Sequence, residues 1–550
     1  MRNGGKILID GLAGQGCRML FTVPGESFLP ALDALFDEGP IRTIVCRHEG
    51  AAAMMAEAAG KLRGAPGVAF VTRAPGATNA ASGVYVAHHD ATPMLLLVGL
   101  PARAREGRKA FQEIDLEAVF GSIAKRVEVV RESARIPEAV AHAYQAARSG
   151  RPGPVVLGFP EDVLHETAGV ADAAPVERAS PAPSASDMRR LKEMLLGARR
   201  PLVLIGGGDW STVAAKQLAS FAGKFDIPVA ATFRRQDHFD NRHPCYVGHA
   251  DIDIEPELGA AIAGADVLIV IGETPGEVPT AAQTLIITPE PSQVLVHAHP
   301  SAGELGRLYR TDLGIVTGAG AFCRALARMR APVKRPWRKL RRELRAAYKR
   351  SLKPLATPGS VQLAEVMATL SRELPEDAIV TNGAGNYAGF LNRYFQYKGW
   401  PTQLAPASGS MGYGLPAAIA AKLIHPGRAV VALAGDGCAL TTGQELATAV
   451  QYGVHIVLIV VNNGMYGTIR MHQERLYPGR VVGTTLVNPD FAVLARSFGA
   501  AGVTIGETRE FLPALRRALT ASVPTVIELK IDPEAICARQ TLSEIAKSRS

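Results

Sequence analysis

Three side chains in this chain have the type and the spacing for chemistry. Asp436 is an acid held between two glycines, in Gly435-Asp436-Gly437. After 24 further residues comes the pair Asn462-Asn463. An acid and an amide oxygen are ligands that a hard cation accepts, and flanking glycines let backbone N–H groups approach a phosphate. The set suits a cation bridging a diphosphate. A lone Gly-Asp-Gly is equally a plain turn; joined at this distance to Asn-Asn, with an apolar run before each, the signal is specific. The third side chain is Glu49, in IVCRHEGAAAMMAEAAGK, past an apolar run and at the start of an Ala-rich stretch. A carboxylate there is either a capping charge at the favourable end of a helix dipole or a group that handles protons.

The elements that must hold these residues are legible around them. Residues 430–433 read as a buried strand and 455–461 as another. Between them 444–452 has helical spacing, with Leu446, Ala447 and Val450 on one face. Such a strand-helix-strand unit is right-handed with parallel strands. Asp436 and Asn463 therefore both lie past carboxyl strand ends, on the edge where open α/β sheets bind ligands.

The same alternation runs through the whole chain. Strands are predicted at 19–23, 43–46, 67–72, 94–99 and 154–159, with helical patterns between them such as 51–62. Residues 165–187, rich in Ala, Pro and Ser, read as a linker. A second α/β region follows, with strands at 201–205, 228–231, 267–271 and 294–297 and a Gly206-Gly207-Gly208 turn. Residues 335–353, bracketed by Pro336 and Pro354, read as a helix and linker. The expected fold class is α/β: three parallel-sheet domains in series, at 1–165, 188–330 and 358–540, with no short repeat.

Composition narrows the function classes. At 550 residues and 47% hydrophobic content, several buried cores are affordable. No apolar run reaches the length of a membrane span, and the first residues lack a signal-peptide pattern. The six cysteines are scattered without a C-x-x-C, which fits reduced thiols and a cytoplasmic location. The formal charge of +9 suggests nucleic acid until it is located. Residues 324–353 carry 13 Lys/Arg and one acid, and the remainder is slightly acidic. A solvated basic face explains that better than a nucleic-acid surface.

Seven motifs now meet in one order. PGESFLPALDAL (24–35), RHEGAAAMMAEAAG (47–60), PGATNAASG (75–83), FQEID (111–115) and GRPGPVVLGFPEDV (150–163) precede GSMGYGLPAA (409–418) and the 435–463 unit. Together they resemble the acetolactate-synthase-like branch of the thiamine diphosphate enzymes, over nearly the whole chain. The resemblance implies a pyrimidine-binding, a central and a diphosphate-binding domain. It implies decarboxylation of a pyruvate-like 2-keto acid with carboligation, the alternative being a simple decarboxylase or an aldehyde carboligase or lyase. It implies thiamine diphosphate and Mg²⁺ as cofactors, and a homodimer or homotetramer in which Glu49 and Asp436 of different subunits serve one cofactor.

Residue by residue, Glu49 matches the family's cofactor-activating glutamate, and Pro75, Asn79 and Gln112 match pocket positions, Gln112 toward substrate. The Gly409 carbonyl matches the acceptor for the cofactor's 4′-amino group, with Ser410 beside it, and Met411 matches the apolar wedge that bends the cofactor. Asp436, Asn463 and the Met465 carbonyl match the metal ligands. Gly435, Gly437, Cys438, Tyr466 and Gly467 surround them, and Ala384, Gly385 and Asn386 fall in a first phosphate loop. Cys438 stands where the family usually has serine, which weakens one diphosphate hydrogen bond.

Other departures bear on substrate. His472 replaces a tryptophan that shapes the acceptor pocket of acetolactate synthases, and Glu26 stands where they have glycine. An ionised Glu26 would repel an anionic acceptor, which predicts poor acetolactate formation unless Glu26 turns to solvent or pairs with an arginine. The turn Gly272-Glu273-Thr274-Pro275 lacks the arginine of flavin-binding members, which argues against FAD.

Overall fold

The computed structural model describes residues 1–36 and 39–548. Three six-stranded sheets follow one another along the chain, and every strand pair within them is parallel. The chain gathers into two compact units. One is Met1–Ala179 with Pro406–Pro426 and Thr442–Val454; the other is Ser180–Ala405 with Gly427–Thr441 and His455–Ser550.

The first unit is built on the sheet with spatial order Arg42–Val45, Met19–Thr22, Gly67–Val71, Met94–Leu100, Pro154–Pro160, Arg126–Val129. Its central strands are apolar throughout and fully buried, as parallel strands covered on both faces must be. The Ala-rich helix Glu49–Arg63 packs on helix Ala74–Asp90 through small residues: a methyl on Gly83 would lie 2.4 Å from Ala53 Cβ. Helix Gly414–Ile424 also packs against Glu49–Arg63. A buried polar cluster ties these parts together. Glu57 accepts from the hydroxyls of Thr92 and Tyr413 and pairs with Lys61, which also pairs with Asp90. Asp90 in turn accepts from the Ala407 N–H.

The second unit holds two sheets. The central one has spatial order Tyr246–His249, Val229–Ala231, Leu202–Ile205, Val267–Ile271, Val294–His299, Leu313–Val316. Numbered along the chain this is 3-2-1-4-5-6, the order of dinucleotide-binding folds. The other has order Gln403–Leu404, Ile379–Asn382, Val430–Gly435, Val457–Asn462, Thr525–Lys530, Ala501–Ile505. That is 2-1-3-4-6-5, the same order as the sheet of the first unit, although the sequence shows no repeat.

Buried hydrogen bonds join the two sheets of this unit. Asp237 Oδ2 accepts from the N–H groups of Thr402 and Gln403 at 2.9 and 3.0 Å. Gln236 donates to the Asn392 carbonyl and, through its backbone, to Gln403 Oε1. Asn241 accepts from the Tyr397 N–H, and Asn392 donates to Asp251.

The structure corrects three sequence expectations. The 335–353 segment is not merely a solvated face and linker. Helix Arg338–Ser351 packs by Leu344, Arg345, Ala347 and Tyr348, and the buried Arg345 donates to the carbonyls of Asn241, Arg242 and Tyr246. Part of the basic excess is thus structural. The 165–187 segment is not all linker either. Thr167–Ala168 pairs antiparallel with Arg2–Asn3, and Ser184 with Asp187 forms a capping box that starts helix Ala185–Gly197. In the three large sheets, strands Arg126–Val129, Tyr246–His249, Leu313–Val316, Ile379–Asn382, Gln403–Leu404, Ala501–Ile505 and Thr525–Lys530 escaped the sequence reading. For Leu313–Val316 the reason is plain: at a sheet edge its residues alternate buried and exposed, so no apolar run forms. No helix among the described residues is long and apolar enough to cross a membrane, and no disulfide forms among them.

Candidate active site

In the first unit the functional candidates collect past the carboxyl ends of the sheet's strands. Glu49 is the first residue of its helix, after strand Arg42–Val45, and the preceding His48 caps that helix through Nδ1 to the Gly50 N–H. The capping task is therefore already filled by His48, which leaves the Glu49 carboxylate available for other work. Its observed tie is from Asn79 Nδ2 to Oε2 at 2.9 Å, from the facing helix. Gly76 lies beside the carboxylate: a methyl there would stand at contact distance, 3.6 Å, from Glu49 Oε1. Pro75 sits in the first turn of the same helix, where its missing N–H costs nothing. Gln112 has φ 59°, a conformation rare outside glycine, and its carbonyl accepts from the Ala74 N–H at 3.1 Å. One rim thus holds Glu49, Asn79, Pro75 and Gln112.

Glu26 lies on the same rim, but its surroundings differ from expectation. Its side chain is 63% exposed, and Oε1 is 3.5 Å from Arg73 Nη1. The neighbouring guanidinium offsets its charge. The expected repulsion of an anionic acceptor, which assumed an uncompensated carboxylate, loses its basis.

The 406–412 segment, also in this unit, presents the wedge candidate. Gly409 adopts φ 69° in a turn closed by its N–H on the Pro406 carbonyl, and the hydroxyls of Ser408 and Ser410 are 2.9 Å apart. Met411 is 38% exposed. It is not a core methionine, and an apolar side chain held at the surface suits a wedge against a ligand.

In the second unit Asp436 opens helix Asp436–Thr442 directly after strand Val430–Gly435. Strand Val457–Asn462 runs beside it with Gly435 opposite Val461, so Asp436 and Asn463 emerge side by side, as their spacing predicted. Asp436 is 2% exposed. It accepts from the N–H groups of Gly437 and Gly464, each at 2.9 Å, and from Asn488 Nδ2 at 2.7 Å. All three donors are neutral, and no Lys or Arg pairs with it among the described residues. A buried carboxylate without a countercharge is costly, and a bound cation removes that cost. No group of three or more His, Cys, Asp or Glu forms among the described residues. A single acid with amide and carbonyl oxygens is instead a donor set for a hard, partly hydrated ion. The residues present fit a Mg²⁺ ion and a diphosphate.

The flanking glycines are needed for space. A methyl on Gly437 would lie 2.4 Å from the Tyr466 ring, and one on Gly467 would lie 3.2 Å from Asn463 Nδ2. Asn463 Oδ1 accepts from the Met465 N–H at 3.3 Å. In the loop expected to face phosphate, which contains Ala384, Gly385 has φ 146°, and a methyl there would strike the Tyr387 ring at 2.8 Å. Asn386 Oδ1 accepts from Thr468 Oγ1 at 2.8 Å, which joins this loop to helix Gly467–Leu476. Cys438 is buried, and the Tyr387 hydroxyl donates to its Sγ at 3.5 Å. Burial first, and the nearby Cys438 second, push the Tyr387 phenol well above its usual range, so it remains a donor at neutral pH. His472, on the same helix, is exposed. Sequence reasoning missed Asn488, which bridges Asp436 and Asn462 Oδ1, and no motif marks it.

Comparison with known proteins identifies the family. Three family models match in succession: the N-terminal TPP-binding domain of thiamine pyrophosphate enzymes over residues 2–119, their central domain over 188–326, and their C-terminal TPP-binding domain over 383–529. The chain is 32% identical to the acetolactate synthase large subunit of Parasynechococcus marenigrum, over 96% of this chain and 87% of that protein. It is 29% identical to the acetolactate synthase large subunit of Corynebacterium glutamicum (97% and 87% covered). It is also 29% identical to that of Lactococcus lactis (96% and 92% covered). The chain belongs to the thiamine pyrophosphate enzymes, in the family of acetolactate synthase large subunits.

Proposed function

We propose that this protein is a thiamine diphosphate- and Mg²⁺-dependent enzyme that decarboxylates a pyruvate-like 2-keto acid and ligates the remaining carbons to a second carbonyl compound, as in acetolactate synthesis. The observation that carries the reading is Glu49: a helix-start carboxylate freed from capping by His48 and oriented by Asn79. A protein that only bound the cofactor would not need it. When bound, thiamine diphosphate supplies an acidic carbon that adds to a keto acid and accepts the electron pair released with CO₂. Glu49 would share a proton with N1′ of the aminopyrimidine, and Asn79 would hold its carboxyl in place. The Gly409 carbonyl would accept from the 4′-amino group, and the exposed Met411 would pack against the cofactor. Asp436, Asn463 and the Met465 carbonyl would hold the Mg²⁺ ion, with the backbone around Gly435, Gly437 and Cys438 toward the diphosphate.

The domain division is taken as 1–165, 188–330 and 358–540. The protein acts as a homodimer or a homotetramer, in the cytoplasm. The central domain carries no FAD in this reading. Glu273 Oε2 accepts from the Gly207 N–H at 3.1 Å, so a carboxylate occupies the backbone donor that a dinucleotide phosphate would use at this switch point. The test is purified protein with thiamine diphosphate and Mg²⁺ against a panel of 2-keto acids. CO₂ release with a coupled hydroxy-keto product is expected from pyruvate or a near homologue. Absence of CO₂ release from every member would overturn the proposal.

A further inference from the structure

Arg73 is the group on the Glu49 rim that the proposed chemistry leaves unexplained. It stands between strand Gly67–Val71 and helix Ala74–Asp90. Its side chain is 8% exposed. One end of the guanidinium is held firmly, Nη2 to Glu161 Oε2 at 2.6 Å. The other end is not. Nη1 reaches Glu26 Oε1 only at 3.5 Å, and the buried Nε has no hydrogen-bond partner. The Nη1 contact to the exposed Glu26, at the limit of a hydrogen bond, is the one that another acceptor can replace. Thr72, which precedes Arg73, packs closely on Gly25 and Gly76. A methyl on Gly25, next to Glu26, would lie 2.4 Å from Thr72 Cβ, and one on Gly76 would lie 3.1 Å from Thr72 Cγ2 and 3.6 Å from Glu49 Oε1.

We propose that Arg73 is a recognition site for the carboxylate of the acceptor keto acid, and that Glu26 is its exchangeable counter-ion. The proposal rests on the function proposed above. An incoming carboxylate takes the Nη1 donor in place of Glu26, which is already largely in solvent and swings away. One anion replaces another, so the charge around Arg73 does not change. A neutral aldehyde cannot make this exchange. The acceptor, not the donor, is the substrate concerned, for a chemical reason. The donor's carboxylate must lose its charge as CO₂, and a guanidinium bound to it would stabilise the ground state against that loss. The acceptor's carboxylate survives the reaction, so holding it costs nothing in the chemical step.

The experiment uses the holoenzyme with one donor, pyruvate, and two acceptors in competition, 2-ketobutyrate and acetaldehyde. Total CO₂ and the ratio of the two cross-products are read from the same tubes. Arg73→Met should lower the keto-acid to aldehyde ratio at least tenfold, and Arg73→Lys should recover part of it, because an ammonium keeps the charge but not the fixed, planar direction of the donor. Glu26→Gln should raise the ratio at least threefold by removing the competing carboxylate. Should Arg73→Met fail to fold, Glu26→Gln on the exposed side decides alone. CO₂ release with a ratio within twofold of wild type in both variants overturns this inference and leaves the proposed function standing. No CO₂ release from wild type overturns both.

Discussion

Asn488 gives the most direct test of how the second unit prepares Asp436. Its Nδ2 donates to Asp436 Oδ2 at 2.7 Å and to Asn462 Oδ1 at 3.0 Å, while its own Oδ1 is buried without a partner. Beside the Gly437 and Gly464 N–H groups, it is the side-chain donor that orients a buried carboxylate with which no Lys or Arg pairs among the described residues. A hydrogen bond to a charged group contributes about 1.5–3 kcal/mol, and about 1.4 kcal/mol is a factor of ten in affinity. Asn488→Ala should therefore weaken Mg²⁺-dependent thiamine diphosphate binding by about 10- to 100-fold, the range found for residues that orient metal ligands. Turnover at saturating cofactor should fall much less, because Asn488 is not placed against substrate. Calorimetric titration of thiamine diphosphate at saturating and at limiting Mg²⁺ measures the effect, with circular dichroism as the check on folding. A folded variant whose affinity stays within twofold of wild type at both Mg²⁺ levels would refute the argument that Asn488 holds Asp436 for a cation.

Four other outcomes are expected. Glu49→Gln should keep cofactor affinity nearly unchanged and lower turnover by orders of magnitude; steady-state kinetics near the wild-type rate would remove Glu49 from its role. Asp436→Ala should abolish Mg²⁺-dependent binding of thiamine diphosphate, read by the same titration. Active protein should sediment as a dimer or tetramer, and an active monomer would contradict the shared-site reading. Burial, and next the neighbouring His299, lower the His297 imidazole to about 4. Its neutral form is the folded one, so its contribution is complete above the unfolded value near 6.5 and is lost as pH falls toward 4. Between pH 6.5 and 5 the loss is about 2 kcal/mol, and His297→Asn should flatten this part of the denaturation profile by that amount.

The parts of the site that were legible in the sequence are those fixed by local chemistry. Asp436 and Asn463 could be placed together because a crossover unit with two buried strands has only one hand. The three α/β regions were readable because buried parallel strands are apolar on both faces. What escaped depends on distant packing. Asn488 lies in a loop with no periodicity. The pairing of Arg73 with Glu26 joins residues 47 apart in sequence. Arg345 was counted as surface charge because nothing local says that three carbonyls will surround it. The edge strand Leu313–Val316 was missed because its outer residues face water and break the apolar pattern.

The hydrogen bonds between residues 236–241 and 392–403 set a rule for building chimeras. The central region resembles a cassette in sequence, with its own family match at 188–326. Exchanging it for that of a relative would leave the N–H groups of Thr402 and Gln403 facing whatever replaces Asp237, and the Tyr397 N–H facing whatever replaces Asn241. Each buried donor left without an acceptor costs about 1–3 kcal/mol. A transplant that carries its own partner for residues 392–403 avoids that cost; one cut at the sequence boundaries does not. For recombination the seam of this protein runs through the loop after Val229–Ala231, not through the linkers at either end of the cassette.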